Sequence, residues 1–112
     1  MQKGDLYWAD LDPTVGSEIA KKRPVLLVSN DVNNRFSSTV SVVPITSNTE
    51  KIYPFEVRLL AGEGGLKNES KVKANQIRTI DKLRLGNRIG KLTDSRIRDV
   101  EEAILIHLGI DR

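Results

Sequence analysis

Apolar positions in this chain fall into short runs separated by polar turns. From Asp5 to Leu11 the chain carries Leu6, Tyr7, Trp8, Ala9 and Leu11. Aromatic and aliphatic side chains of this kind suit a pleated surface, so the segment reads as a strand. The stretch Asp12-Pro13-Thr14-Val15-Gly16-Ser17-Glu18 follows, and its Pro and Gly make a turn or loop that reaches Lys22. Pro24-Val25-Leu26-Leu27-Val28 is continuously apolar, the pattern of a strand covered on both faces. Asn30 to Arg35 is polar and reads as a loop or one helical turn. Thr39 to Thr46 is rich in Val, Thr and Ile and predicts a third strand. Pro44 inside it has no N–H to give a ladder, which predicts an edge or a bulge there. After Tyr53-Pro54, Phe55 to Leu59 alternates apolar and polar, so it is half-buried. Ala61 to Gly65 is a Gly-rich loop. Lys71 to Arg78 alternates again, with Val72 and Ala74 on one face, and Arg88 to Leu92 reads as a short last strand.

The period then changes. Ile97, Val100, Ile104 and Leu108, with Leu105 beside them, follow helical spacing. Thr93 fits an N-cap, Asp94 suits the positive end of the helix, and Gly109 suits its C-terminal stop. The pattern therefore predicts a mainly β chain with a C-terminal α-helix. Roughly five to seven short strands at close spacing imply a small barrel, with the helix over an open side.

Composition narrows this reading. The 112 residues have the length of one domain, 1–112, with a modest core that a partner subunit would help to stabilise. A net charge of +3 is compatible with a polyanionic partner without demanding one. With no cysteine there is neither a disulfide framework nor a thiolate metal site, which agrees with a reducing cytoplasm. The opening Met1-Gln2-Lys3-Gly4-Asp5 lacks the apolar core of a signal peptide. No apolar run approaches the ~18 residues of a membrane span.

Candidate chemistry is sparse. His107 is the only histidine, so an acid/base pair of histidines within one chain is excluded. It sits at the edge of the apolar helix face and reads as a packed structural residue. No cluster of His, Asp and Glu has the spacing of a metal site, so no metal or other cofactor is expected. Tyr7 and Trp8 are aromatic and could stack on bases, but for strand aromatics near the N-terminus core packing is the better reading. Glu101 and Glu102 read as the solvated face of the helix.

Five segments, taken in order, resemble the MazF/PemK (Kid) family of toxins. The first runs from Gly4-Asp5 through Trp8 and Asp10-Leu11-Asp12-Pro13-Thr14 to Gly16-Ser17-Glu18. The second is Arg23-Pro24-Val25-Leu26 with Ser29-Asn30-Asp31. The third is Val43-Pro44-Ile45-Thr46-Ser47. The fourth is Asn75-Gln76-Ile77-Arg78-Thr79-Ile80-Asp81 with Arg84-Leu85. The fifth is Gly90-Lys91-Leu92 leading into the helix that ends at Leu108-Gly109.

The resemblance implies a small SH3-like barrel of the CcdB/PemK kind, a cytoplasmic homodimer and single-stranded RNA lying across the dimer face. It implies metal-independent cleavage of that RNA at short sequence motifs, leaving 2′,3′-cyclic phosphate and 5′-hydroxyl ends. It also implies a cognate MazE-like antitoxin whose disordered acidic tail covers the site. By family match the catalytic residues are Arg23 and Thr46. A planar guanidinium donates paired hydrogen bonds to phosphate, and a hydroxyl orients one of its oxygens. Gln76, Arg78 and Thr79 match RNA-binding or site-supporting positions, and Ser17, Glu18 and Asn30 match rims of the groove. Kid-like members place a carboxylate, an Arg and a His where this chain has Asn75, Lys73 and Ser17. An amide cannot exchange a proton as a carboxylate does, so Asn75 is left as a base-edge contact and the pattern lies closer to the MazF branch. Two other readings share the barrel: a non-enzymatic toxin of the CcdB type that binds DNA gyrase, and a plain SH3-like binding module.

Overall fold

The structure is a computed structural model that describes residues 1–111. Seven strands make one antiparallel sheet: β1 (Asp5–Asp10), β2 (Lys22–Leu27), β3 (Thr39–Thr46), β4 (Glu56–Leu59), β5 (Ser70–Lys73), β6 (Arg78–Asp81) and β7 (Leu85–Lys91). The strand order is β4-β5-β3-β2-β1-β7, with β6 also paired to β3. A short helix α1 (Asp31–Phe36) connects β2 to β3, and helix α2 (Asp94–Leu108) ends the described chain.

The unbroken apolar run of β2 is explained by two core clusters. Val25 and Leu27 enter one with Ala9, Leu11, Val40, Val42 and Ile80. Leu26 points the other way, into a larger cluster with Leu6, Val43, Ile45, Val57 and Val72. Successive residues of a strand face opposite sides, so both faces of the curled sheet are covered here. Helix α2 closes the larger cluster through Val100 and Ala103. Its caps are those expected: the Thr93 side chain accepts the N–H of Arg96, and Gly109 adopts the left-handed conformation at φ 69°.

Strand β3 changes partner halfway. Thr39 to Val42 pair with β6, whereas Ile45 and Thr46 pair with β5. Pro44 falls in the gap between the two ladders, where no N–H is required on that side. It is neither an edge residue nor a bulge, and it still faces Val25 of β2. The expected single strand from Lys71 to Arg78 is likewise two strands, separated by a 3-10 turn at Ala74–Gln76. Val72 and Ala74 are both buried, so the alternation was real. The turn redirects the chain from one half of β3 to the other, which periodicity alone does not reveal.

Asn30 to Arg35 is mostly helix. Asn30 caps α1 by accepting the N–H of Asn33 at 2.8 Å. His107 is exposed in the last turn of α2, so the packed reading is corrected. The helix docks chiefly through Val100 and Ala103, and its apolar stripe turns to solvent before the last turn.

One glycine contact holds the loop before β5 against β7. Gly65 has φ +83°, and a Cβ there would lie 2.5 Å from the Ile89 carbonyl oxygen. We expect Gly65→Ala to cost about 1–3 kcal/mol by steric crowding and unfavourable backbone geometry. A thermal melt checks this; an unchanged midpoint would mean that the loop moves freely away from β7.

Candidate active-site cleft

Arg23 and Thr46 are brought together by strand register. The β2–β3 ladder pairs Leu27 with Val42, Leu26 with Val43 and Val25 with Pro44. The ladder ends there; continued for two more steps, the same register would bring Arg23 opposite Thr46. Both residues line a cleft of about 470 Å³, together with Trp8, Lys22, Lys67 and Asn68. No carboxylate lines this cleft, whereas Lys22, Arg23 and Lys67 do. An anion entering it meets only cations and neutral groups.

Each side chain is aimed by a local contact. The Arg23 Nε–H donates to the Ala20 carbonyl at 3.3 Å, which leaves the two terminal amino groups unused by this contact. These carry no other hydrogen bond among the described residues and are free to fork onto a phosphate. Thr46 Oγ1 accepts the Asn48 backbone N–H at 3.3 Å, so its own proton is left to donate. Behind Arg23, Lys21 holds a positive φ of 67°. Its N–H donates to Asp12 Oδ1 at 3.0 Å and its carbonyl accepts the Leu11 N–H at 3.0 Å. These bonds hold the turn that feeds β2 in a strained backbone region.

The other sequence candidates surround this centre without entering it. Gln76 Oε1 accepts the Ile19 N–H at 2.8 Å, and its amide nitrogen donates to the Ser17 carbonyl at 3.4 Å. Arg78 donates to the Leu11 carbonyl at 3.2 Å. Both therefore hold the loop between β1 and β2. Glu18 accepts the Val15 N–H within that loop, and Ser17 is exposed beside it. Thr79 pairs with Ser41 through their hydroxyls at 3.2 Å. Asn30 is occupied as a helix cap. Asn75 Oδ1 is buried with no hydrogen-bond partner. We expect Gln76→Ala to speed amide exchange at Ile19 by about tenfold, the worth of one lost net hydrogen bond. Unchanged exchange would show that the loop is held by other contacts.

Sequence reasoning missed Trp8, Lys22, Lys67 and Asn68. Trp8 was read as core, yet it is 47% exposed and forms part of the cleft wall. The signal lay two residues on: Asp10 shares its strand face, so that face leaves the core between Leu6 and Asp10. Among the described residues no three His, Asp or Glu side chains converge as a metal site would require.

Solved toxin structures share this fold. MazF from Deinococcus radiodurans superposes with a TM-score of 0.85 at 27% identity, over 98% of this chain and 97% of that one. A mycobacterial endoribonuclease in complex with its cognate antitoxin superposes at 0.82 and 27%, over 100% and 98%. The chain belongs to the family described as PemK-like, MazF-like toxin of type II toxin-antitoxin system, which matches residues 2–108. It is 43% identical over 111 residues to endoribonuclease EndoA of Bacillus subtilis, covering 98% of this chain and 96% of that protein. It is 39% identical to endoribonuclease MazF9 of Mycobacterium tuberculosis, with 98% of each covered.

Proposed function

We propose that this protein is a toxin that cuts single-stranded RNA at short sequence motifs. The observation that carries the reading is that Arg23 and Thr46 line one cleft with two further cations and no carboxylate. The substrate brings its own nucleophile. The 2′-hydroxyl gives up its proton and attacks the adjacent phosphorus, the bond to the 5′-oxygen breaks, and that oxygen takes up a proton, so no net proton is consumed. The products are a 2′,3′-cyclic phosphate and a 5′-hydroxyl end. Arg23 holds two phosphate oxygens and neutralises the charge that grows on them, and Thr46 donates to one of these oxygens. Nothing in this sequence of steps calls for a metal ion.

The same cationic cleft suits an acidic antitoxin segment, which would exclude RNA by occupying the phosphate position. A homodimer fits the exposed apolar side chains. Val32 and Phe36, one turn apart on α1, are 71% and 75% exposed. Ile106 and Leu108 at the end of α2 are each 53% exposed. We place the dimer in the cytoplasm; no described helix is long and apolar enough to cross a membrane.

The test compares one long RNA in two forms. The single strand is cut at a few recurring motifs, while the same strand annealed to its complement is spared, because paired bases hide their edges and cannot splay. Equal cutting of both forms, or of neither, would overturn the reading.

A further inference from the structure

The β1–β7 ladder carries an irregularity beside the cleft. Tyr7 pairs with Arg88 and Ala9 with Leu85. Two steps along β1 thus span three along β7, and Gly86 and Asn87 together oppose the single residue Trp8. A bulge of this kind re-aims side chains and opens the ladder locally. Gly86 also keeps close to Trp8: a Cβ there would lie 3.5 Å from the Trp8 Cβ. Beyond the bulge lies a second cleft of about 460 Å³, lined by Trp8, Asp10, Lys22, Leu83 and Asn87 among others. Trp8 and Lys22 line both clefts and so mark where the two meet.

The two clefts differ in charge. The reaction cleft holds three cations and no carboxylate. The second adds the Asp10 carboxylate and the neutral Asn87 amide. Arg84 also lines it, but its Nη1 is turned back to the Asp10 and Asp12 carbonyls. Asp10 Oδ1 accepts the Asp12 N–H at 3.1 Å, and its other oxygen has no partner among the described residues. Asp10 and Asn87 give this cleft acceptors for N–H groups, which the reaction cleft's cations do not offer. A nucleobase offers a flat π-face to an indole and N–H donors to a carboxylate or amide.

We propose that the second cleft is a nucleobase subsite: the base of a nucleotide next to the scissile phosphate leaves the stack, lies on Trp8, and presents its edge to Asp10 and Asn87. Lys22 sits where the connecting phosphate crosses between the clefts. This rests on the RNA-cleaving reading and adds to it a residue that determines which base flanks the cut.

A substitution cycle tests it. The cuts made by the wild-type protein in a long RNA are mapped, and a short RNA around the strongest cut is made with an abasic nucleotide at each position in turn. In the wild type, one abasic position flanking the cut lowers kcat/KM by about tenfold. In Trp8→Ala the same abasic change costs nothing more, because both changes remove one stacking contact. Trp8→Phe restores the penalty, and Asp10→Asn shifts which base is preferred there. Equal abasic penalties in wild type and Trp8→Ala would overturn the subsite while leaving the nuclease standing. A wild-type protein that cuts no RNA would sink both.

A second readout does not depend on any variant folding. Trp8 is the chain's one tryptophan. Adding an uncleavable, fully deoxy single strand should quench its emission as a base stacks on it. Binding without any change in emission would also overturn the proposal.

Discussion

Arg23→Ala lowers kcat/KM for RNA cleavage by roughly 100- to 1,000-fold, the cost of removing one preorganised donor to a developing oxyanion. The protein should remain folded, because Arg23 is only half-buried and makes a single backbone hydrogen bond. Arg23→Lys keeps the charge and loses the fork, so it should recover only part of the rate. Thr46→Val keeps the shape and removes the hydroxyl, and should lose rate, whereas Thr46→Ser should keep most of it. Kinetics on one short substrate, beside melts of each variant, check the series. If Arg23→Ala and wild type cut at equal rates, the chemistry lies outside this cleft.

Glu56→Gln should be strongly destabilising although it lies away from the cleft. The Glu56 side chain is fully buried, 3.1 Å from Lys71 Nζ and 3.3 Å from Lys73 Nζ. Its Oε1 also accepts the Tyr53 N–H at 2.9 Å, and Lys71 donates to the Lys51 carbonyl at 2.7 Å. The cluster therefore ties the segment after Thr46 down onto β4 and β5. Removing the carboxylate leaves Lys71 buried without a counter-charge, at a cost of about 3–5 kcal/mol. The melting temperature should fall by roughly 10–20 °C for a chain of this size. Adding Lys71→Met should recover part of the loss, because the uncompensated charge goes with it. No recovery would mean that packing, rather than charge, sets the cost.

The same cluster makes stability depend on pH. Burial pushes the Glu56 carboxyl up, but the Tyr53 N–H and the two lysine ammoniums outweigh it and hold its pKa below the ordinary 4.5. Glu63 is lowered in the same direction by its paired bonds to Arg96. A carboxylate with a depressed folded pKa binds fewer protons in the folded state than in the unfolded state. Its contribution is complete above pH 4.5 and is lost as the pH falls through the folded value. Melts below pH 4.5 should thus show a steep loss in the wild type and a shallower one in Glu56→Gln.

Much of this was legible from the residues. The apolar run from Val25 to Leu27 announced a strand covered on both faces, and the Thr93 and Gly109 caps bounded α2 correctly. Arg23 and Thr46 came from family resemblance, and strand register then explained why residues so far apart in sequence meet. What escaped was set by tertiary geometry. The 3-10 turn at Ala74–Gln76 exists because β3 changes partner at Pro44, a fact about the whole sheet. Trp8 looked like core because aromatic residues in strands usually are, yet its strand emerges from the core at that point. Gln76 and Arg78 were visible as polar residues on a strand, but their bonds to the β1–β2 loop depend on contacts across more than fifty residues.

If the cleft of Arg23 and Thr46 drives attack by the 2′-hydroxyl, the chemistry of the fragment ends records it. Purified protein is incubated with long single-stranded RNA in EDTA, and the new ends are identified. We expect 2′,3′-cyclic phosphates and 5′-hydroxyls at recurring motifs, with cleavage abolished where the nucleotide preceding the cut is 2′-deoxy. Ends bearing 5′-phosphate, or cutting that survives the deoxy substitution, would contradict it.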